Sequence, residues 1–133
     1  MRKASILVAE DNVDVLDSLR RLLELEGFSV ITADNCSTAL EQISQFKPNV
    51  ILTDLGMPGM TGLEFIYTLR RTSSVAHVPI IAISAHSKKY LSAALDAGAD
   101  IALHKLEGFD TLLEAINRLL GGSGPSKEVA MFH

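Results

Sequence analysis

The stretch Ser5-Ile6-Leu7-Val8-Ala9-Glu10-Asp11-Asn12 decides how the rest of the chain is read. A short apolar run stops abruptly at two acids and an amide, the pattern of a buried strand that ends in a polar loop. From Val13 to Glu26, Leu16, Leu19, Leu22 and Leu23 recur at helical spacing, with Asn12 or Asp11 placed to cap the start and Gly27 to end it. Strand and helix then alternate. Phe28 to Thr32 reads as a strand, Ser37 to Phe46 as a helix, and Asn49 to Thr53, after Pro48, as a third strand. A Gly- and Pro-rich loop from Asp54 to Gly62 leads to a helix over Leu63 to Arg71. The continuously apolar Pro79 to Ile83 reads as a central strand ending at Ser84. Tyr90 to Ala97 is an Ala-rich helix closed by Gly98, Asp100 to His104 a fifth strand, and Phe109, Leu112, Ile116 and Leu119 stripe a last helix.

This alternation predicts an α/β fold: a doubly wound, five-stranded parallel sheet with five helices on its two faces and strand order 2-1-3-4-5. Size agrees with one such domain. The chain has 133 residues, 47% of them hydrophobic and 21% charged, which excludes long disorder. Residues 121–133 open with Gly-Gly-Ser-Gly-Pro and read as a flexible tail or linker, with Met131 and Phe132 at a frayed end. The single cysteine, Cys36, cannot form an internal bridge and reads as a small packing residue. With no signal-like start after Met1-Arg2-Lys3, this points to a cytoplasmic protein. No apolar run is long enough to span a bilayer. A formal net charge of −4 argues against direct binding to nucleic acid or an anionic membrane.

In a parallel sheet all the carboxyl ends open on one edge, where ligands bind at the reversal of strand order. Glu10 and Asp11 follow strand one, Asp54 follows strand three, and the proposed order makes these strands neighbours. Ser84 leaves strand four and Lys105 leaves strand five beside them. Three carboxylates in one pocket repel one another unless a cation offsets them, and oxygen-only ligands point to Mg²⁺. A carboxylate beside Mg²⁺ can itself be a nucleophile. Asp54 attacking a phosphoryl donor would become an aspartyl phosphate, with Lys105 neutralising the phosphoryl oxygens and Ser84 donating a hydrogen bond.

These residues carry a resemblance. From about Lys3 to Leu120 the chain resembles the receiver domain of two-component response regulators, of the chemotaxis type and flavodoxin-like in fold. Glu10-Asp11 resembles the family's acidic metal pair. Asp54, in Leu52-Thr53-Asp54-Leu55-Gly56-Met57-Pro58-Gly59, resembles its phosphoacceptor, and Ser84-Ala85 and Lys105 resemble its hydroxyl and lysine.

The resemblance implies a receiver over residues 1–120, with the backbone carbonyl of Gly56 as a further metal ligand. It also implies phosphoryl transfer to Asp54 from a phosphohistidine on a sensor histidine kinase or histidine phosphotransfer protein. Such a protein is not an enzyme, although it assists its own phosphorylation and dephosphorylation. Its output is a changed surface around helix four, strand five and helix five, read by a downstream protein partner or by an output domain outside this chain.

Two positions depart from the family pattern. Ala102 stands where an aromatic usually turns inward, and Leu106 stands where proline usually follows the lysine. They favour a second reading, a switch-degenerate receiver acting as a constitutive interaction module. A third, an aspartate-nucleophile phosphatase, wants an acid two residues after the nucleophile, where this chain has Gly56. His86, two residues past Ser84, is placed to contact a phosphoryl group or orient water. His77 and His104 read as surface residues, and Arg70-Arg71 as a solvated basic pair.

Overall fold

A computed structural model describes residues 4–57, 60–85, 88–121 and 128–130. Pro58, Gly59, His86, Met131 and Phe132 lie outside the described residues, and with them the expectations placed on His86 and on the last residues of the chain. The first strand, β1 (Ser5–Ala9), is followed by α1 (Val13–Leu25) and β2 (Ser29–Ala33). Then come α2 (Cys36–Phe46), β3 (Val50–Asp54), α3 (Gly62–Arg70), β4 (Ile80–Ser84), α4 (Lys88–Ala97), β5 (Ile101–His104) and α5 (Phe109–Leu120). The first five strands are parallel in the order 2-1-3-4-5, as the alternation predicts.

One strand was not foreseen. Within 121–133, expected as a tail or linker, Glu128–Ala130 forms a sixth strand, β6, that pairs in parallel with β5 and brings Val129 opposite Ala102. Periodicity cannot reveal a three-residue strand, and the glycines ahead of it read as the end of structure. The return after α5 to a parallel neighbour is the same strand-helix-strand step that builds the rest of the sheet.

Strand alternation divides the core in two. Leu7, Ile51, Ile80, Ala82 and Ala102 face Ala39 and Ile43 of α2, Phe65, Ile66 and Leu69 of α3, and Leu91 and Ala94 of α4. Ile6, Val8, Val50, Leu52, Ile81, Ile101 and Leu103 pack with Leu23 of α1 and Leu112, Ala115 and Ile116 of α5. Burial on both faces is why these strands read as apolar runs instead of alternating ones.

Caps fix the helix starts. The Asn12 carboxamide accepts from the amides of Asp14 and Val15, and Asn35 accepts from Thr38. Thr61 and Glu64 form a reciprocal capping box that starts α3 directly after the β3–α3 loop. Gly62 is required there by space: a Cβ would lie 2.4 Å from the Leu55 Cα.

At the amino ends of β4 and β5, Arg70 is an internal clamp and not a solvated residue. Its guanidinium donates to the carbonyls of Gly98, Ala76 and Val78 and to the Asp100 carboxylate, which also accepts from the Ile80 amide. Gly98, at φ +126°, leaves room for that side chain, since a Cβ would lie 2.5 Å from the Arg70 Cγ.

Candidate functional site

The site lies at the carboxyl ends of β1, β3, β4 and β5. The pairs Ala9–Thr53, Asp54–Ile83 and Ser84–His104 bring these ends level. Asp54 is the last residue of β3, and Glu10 and Asp11 follow β1 directly. The ends are held in place by backbone bonds from Glu10 N–H to the Ala33 carbonyl and from Leu55 N–H to the Ile83 carbonyl. The acids expected to converge do so: Glu10, Asp11 and Asp54 each offer an oxygen within 4.8 Å of the others.

Their environments differ. Glu10 and Asp54 are buried and Asp11 is exposed. One Glu10 oxygen accepts from the Asn12 amide at 3.1 Å, and the other accepts from the Lys105 ammonium at 2.9 Å. Lys105 also approaches Asp54 Oδ1 at 3.6 Å, so it does cross from β5 to the acids. Burial pulls the Lys105 pKa down, but the hydrogen bond to Glu10 and the charges of Asp54 and Glu10 outweigh it, and the net shift is upward. The ammonium is therefore charged at neutral pH and offsets part of the carboxylate repulsion.

Ser84 is buried at the end of β4. Gly56 is exposed, and a Cβ there would sit 3.7 Å from Asp54 Oδ2, so this position leaves the carboxylate open to approach. An open cavity of about 330 Å³ runs from Glu10, Asp54 and Lys105 to apolar residues of α1 and α5, including Val15, Leu19 and Phe109. Oxygen-only donors around a charge-dense, partly open pocket fit a hard divalent cation, and Mg²⁺ takes one or two carboxylates while keeping sites for phosphate oxygens.

One placement was not foreseen. His104 is not a plain surface residue: it caps the 3₁₀ turn Lys105–Glu107, its Nδ1 accepting from the Leu106 amide at 3.0 Å. Leu106 itself is 89% exposed, and no peptide bond among the described residues is cis. The sequence signal for the cap was a histidine two residues ahead of an amide that begins a turn, too generic to single out. Ala102 is fully buried against the α4 side of the sheet.

A family model for the response regulator receiver domain matches residues 6–117. The chain belongs to that family. Among its relatives, the receiver is 39% identical over 109 residues to the KDP operon transcriptional regulatory protein KdpE of Escherichia coli, covering 81% of this chain and 47% of that protein. It is 37% identical over 130 residues to the response regulator MprA of Mycobacterium leprae, covering 95% of this chain and 56% of that one. The chain thus spans about half the length of these curated relatives.

Among solved structures, the receiver superposes on the chemotaxis response regulator CheY4 of Vibrio cholerae with a TM-score of 0.82 and 28% identity, covering 89% of this chain and 99% of that one. The Francisella response regulator 1452 receiver domain gives 0.84 and 26%, covering 92% and 100%. This is a receiver domain of two-component signal transduction, and the role of phosphoacceptor follows from the family. Response regulators are phosphorylated by histidine kinases. Among the described residues no helix is long and apolar enough to cross a membrane.

Proposed function

We propose that Asp54 is the phosphoacceptor of this receiver and that Glu10, Asp11, Asp54 and the Gly56 backbone carbonyl are the protein ligands of Mg²⁺. The observation that carries the proposal is the convergence of the three carboxylates within 4.8 Å beside the Lys105 ammonium. When bound, Mg²⁺ would neutralise phosphoryl oxygens and the carboxylates that face them.

The remaining chemistry belongs to the chain. A carboxylate oxygen of Asp54 forms a bond to phosphorus as the bond to the donor imidazole nitrogen breaks, and the electron pair leaves with that nitrogen. Gly56 gives the donor access along one side of the carboxylate. Lys105 moves from Glu10 toward the new phosphoryl oxygens, and Ser84 donates its hydroxyl to one of them. The same groups would hold the aspartyl phosphate during its hydrolysis, so the domain assists both gain and loss of the group without turning over an external substrate.

The receiver unit is read as residues 1–120, in keeping with the matched span 6–117. The donor is a phosphohistidine on a sensor kinase or phosphotransfer protein. Readout is by a downstream protein or by a further domain, an inference supported by the greater length of the relatives and by the name of the Escherichia coli one as a transcriptional regulator. A cytoplasmic location is consistent with that role. Ala102 keeps a second reading in view, in which the surface is constitutive, but a complete acid set facing Lys105 favours the phosphorylatable one.

Phosphoramidate, a small donor with a phosphorus–nitrogen bond, tests the proposal. With Mg²⁺ the protein is expected to gain a hydroxylamine-labile adduct, absent from Asp54→Asn and absent with EDTA. An adduct retained by Asp54→Asn would overturn it.

A further inference from the structure

We propose that His104 is a positioning residue that aims Lys105 at the carboxylates by capping the turn in which Lys105 lies, an inference that rests on the receiver reading of Asp54 and Lys105. The chain leaves β5 at His104 with φ −81° and ψ 142° and winds at once into the 3₁₀ turn Lys105–Glu107. Amides at the start of such a turn have no partner within it and need an outside acceptor. The Leu106 amide finds one in the His104 Nδ1, 3.0 Å away. Donor and acceptor stand on either side of Lys105 in sequence, so their bond closes a small ring around the residue whose ammonium must span to Glu10 and Asp54.

The Leu106 side chain is 89% exposed and contributes no packing, and Gly108, which follows the turn at φ +89°, would have nothing within 4 Å of a Cβ. The His104 backbone, in contrast, is fixed by its pairing with Ser84 at the end of β5, and the residue lines the same cavity as Glu10, Asp54 and Lys105. Acceptance by Nδ1 requires the neutral ring with its proton on Nε2. His104 thus links the rigid end of the sheet to the direction of the lysine stem.

The test uses variants of the 133-residue chain and two readouts, the rate of Asp54 phosphorylation by phosphoramidate with saturating Mg²⁺ and the hydrogen exchange of the Leu106 amide. Loss of a cap shifts the equilibrium of the turn it holds by about fivefold, so His104→Leu is expected to slow phosphorylation by up to about that factor and to unprotect the Leu106 amide. His104→Asn, whose side-chain oxygen can accept from the amide two residues on, is expected to restore both, the rate to within about twofold. In a Lys105→Ala background, His104→Leu should slow the reaction no further, because the residue acts through the lysine.

An unchanged rate in His104→Leu would overturn the inference, as would His104→Asn being as slow as His104→Leu, or a full additional loss in the Lys105→Ala background. Failure of the wild-type protein to take up any phosphoryl group would overturn the receiver reading as well. A phosphorylated wild type with an unaffected His104→Leu would overturn this inference alone.

Discussion

The Lys105 ammonium is 2.9 Å from Glu10 Oε1 and 3.6 Å from Asp54 Oδ1, so the lysine hydrogen-bonds to Glu10 and pairs more loosely with Asp54. This leaves the Asp54 oxygens less encumbered while keeping a charged donor within a short movement of them. Glu10 is thereby given two tasks, holding the lysine and contributing to the acidic pocket.

The upward shift at Lys105 fixes a pH dependence. Its folded pKa lies above the ordinary value of 10.5, so the stability it contributes is fully present below 10.5 and is lost as pH rises through the higher folded value. Urea unfolding of wild type and Lys105→Met should differ by a constant amount from neutral pH to mildly alkaline pH, with the difference shrinking only above 10.5. A difference that vanishes well below that point would contradict the assignment.

Gly62 has no room for a methyl group. In Gly62→Ala the new Cβ would meet backbone at the Leu55 Cα, which must move α3 against the loop that follows Asp54. Destabilisation of about 1–3 kcal/mol is expected from overpacking, measured by denaturant unfolding, together with slower phosphorylation because the loop carries Gly56.

Arg70 lies far from the acids in the fold, at the other ends of the strands. Removing it in Arg70→Ala leaves three carbonyls and the Asp100 carboxylate short of a donor, at a cost of about 2–3 kcal/mol. Calorimetric Mg²⁺ affinity of the folded variant should stay within about twofold of wild type, since loss of the clamp changes no ligand.

Cys36 is 2% exposed, its Sγ donates to the Met60 carbonyl, and burial foremost, then the charge of Glu64, push its thiol pKa up. A thiol of this kind is mostly protonated at neutral pH. Alkylation by iodoacetamide should be slow in buffer and become rapid in denaturant, following the unfolded fraction.

Most of the architecture was legible because apolar runs and helical stripes are strong local signals. Ile6 to Ala9, Val50 to Leu52 and Ile80 to Ala82 are buried on both sides of the sheet, and Asn12 and Gly27 bracket α1 as expected. The site was legible for a topological reason: once the strands are parallel and ordered, residues at or just past their ends must meet, and Glu10, Asp11 and Asp54 do.

What was missed depends on contacts distant in sequence or on very short elements. The Arg70–Asp100 pair spans 30 residues, and β6 is three residues long. Neither has a local pattern. The preference of Lys105 for Glu10 over Asp54 is a matter of less than an ångström of side-chain reach, which spacing along the chain cannot resolve.

The central claim is that the phosphoryl group goes to Asp54, and borohydride reduction of the phosphorylated protein followed by peptide mapping tests it most directly. Reduction of an aspartyl phosphate leaves homoserine at the modified position. The account predicts homoserine at position 54 alone, dependent on both phosphodonor and Mg²⁺. Homoserine at position 11, or none anywhere after treatment with donor and Mg²⁺, would contradict it.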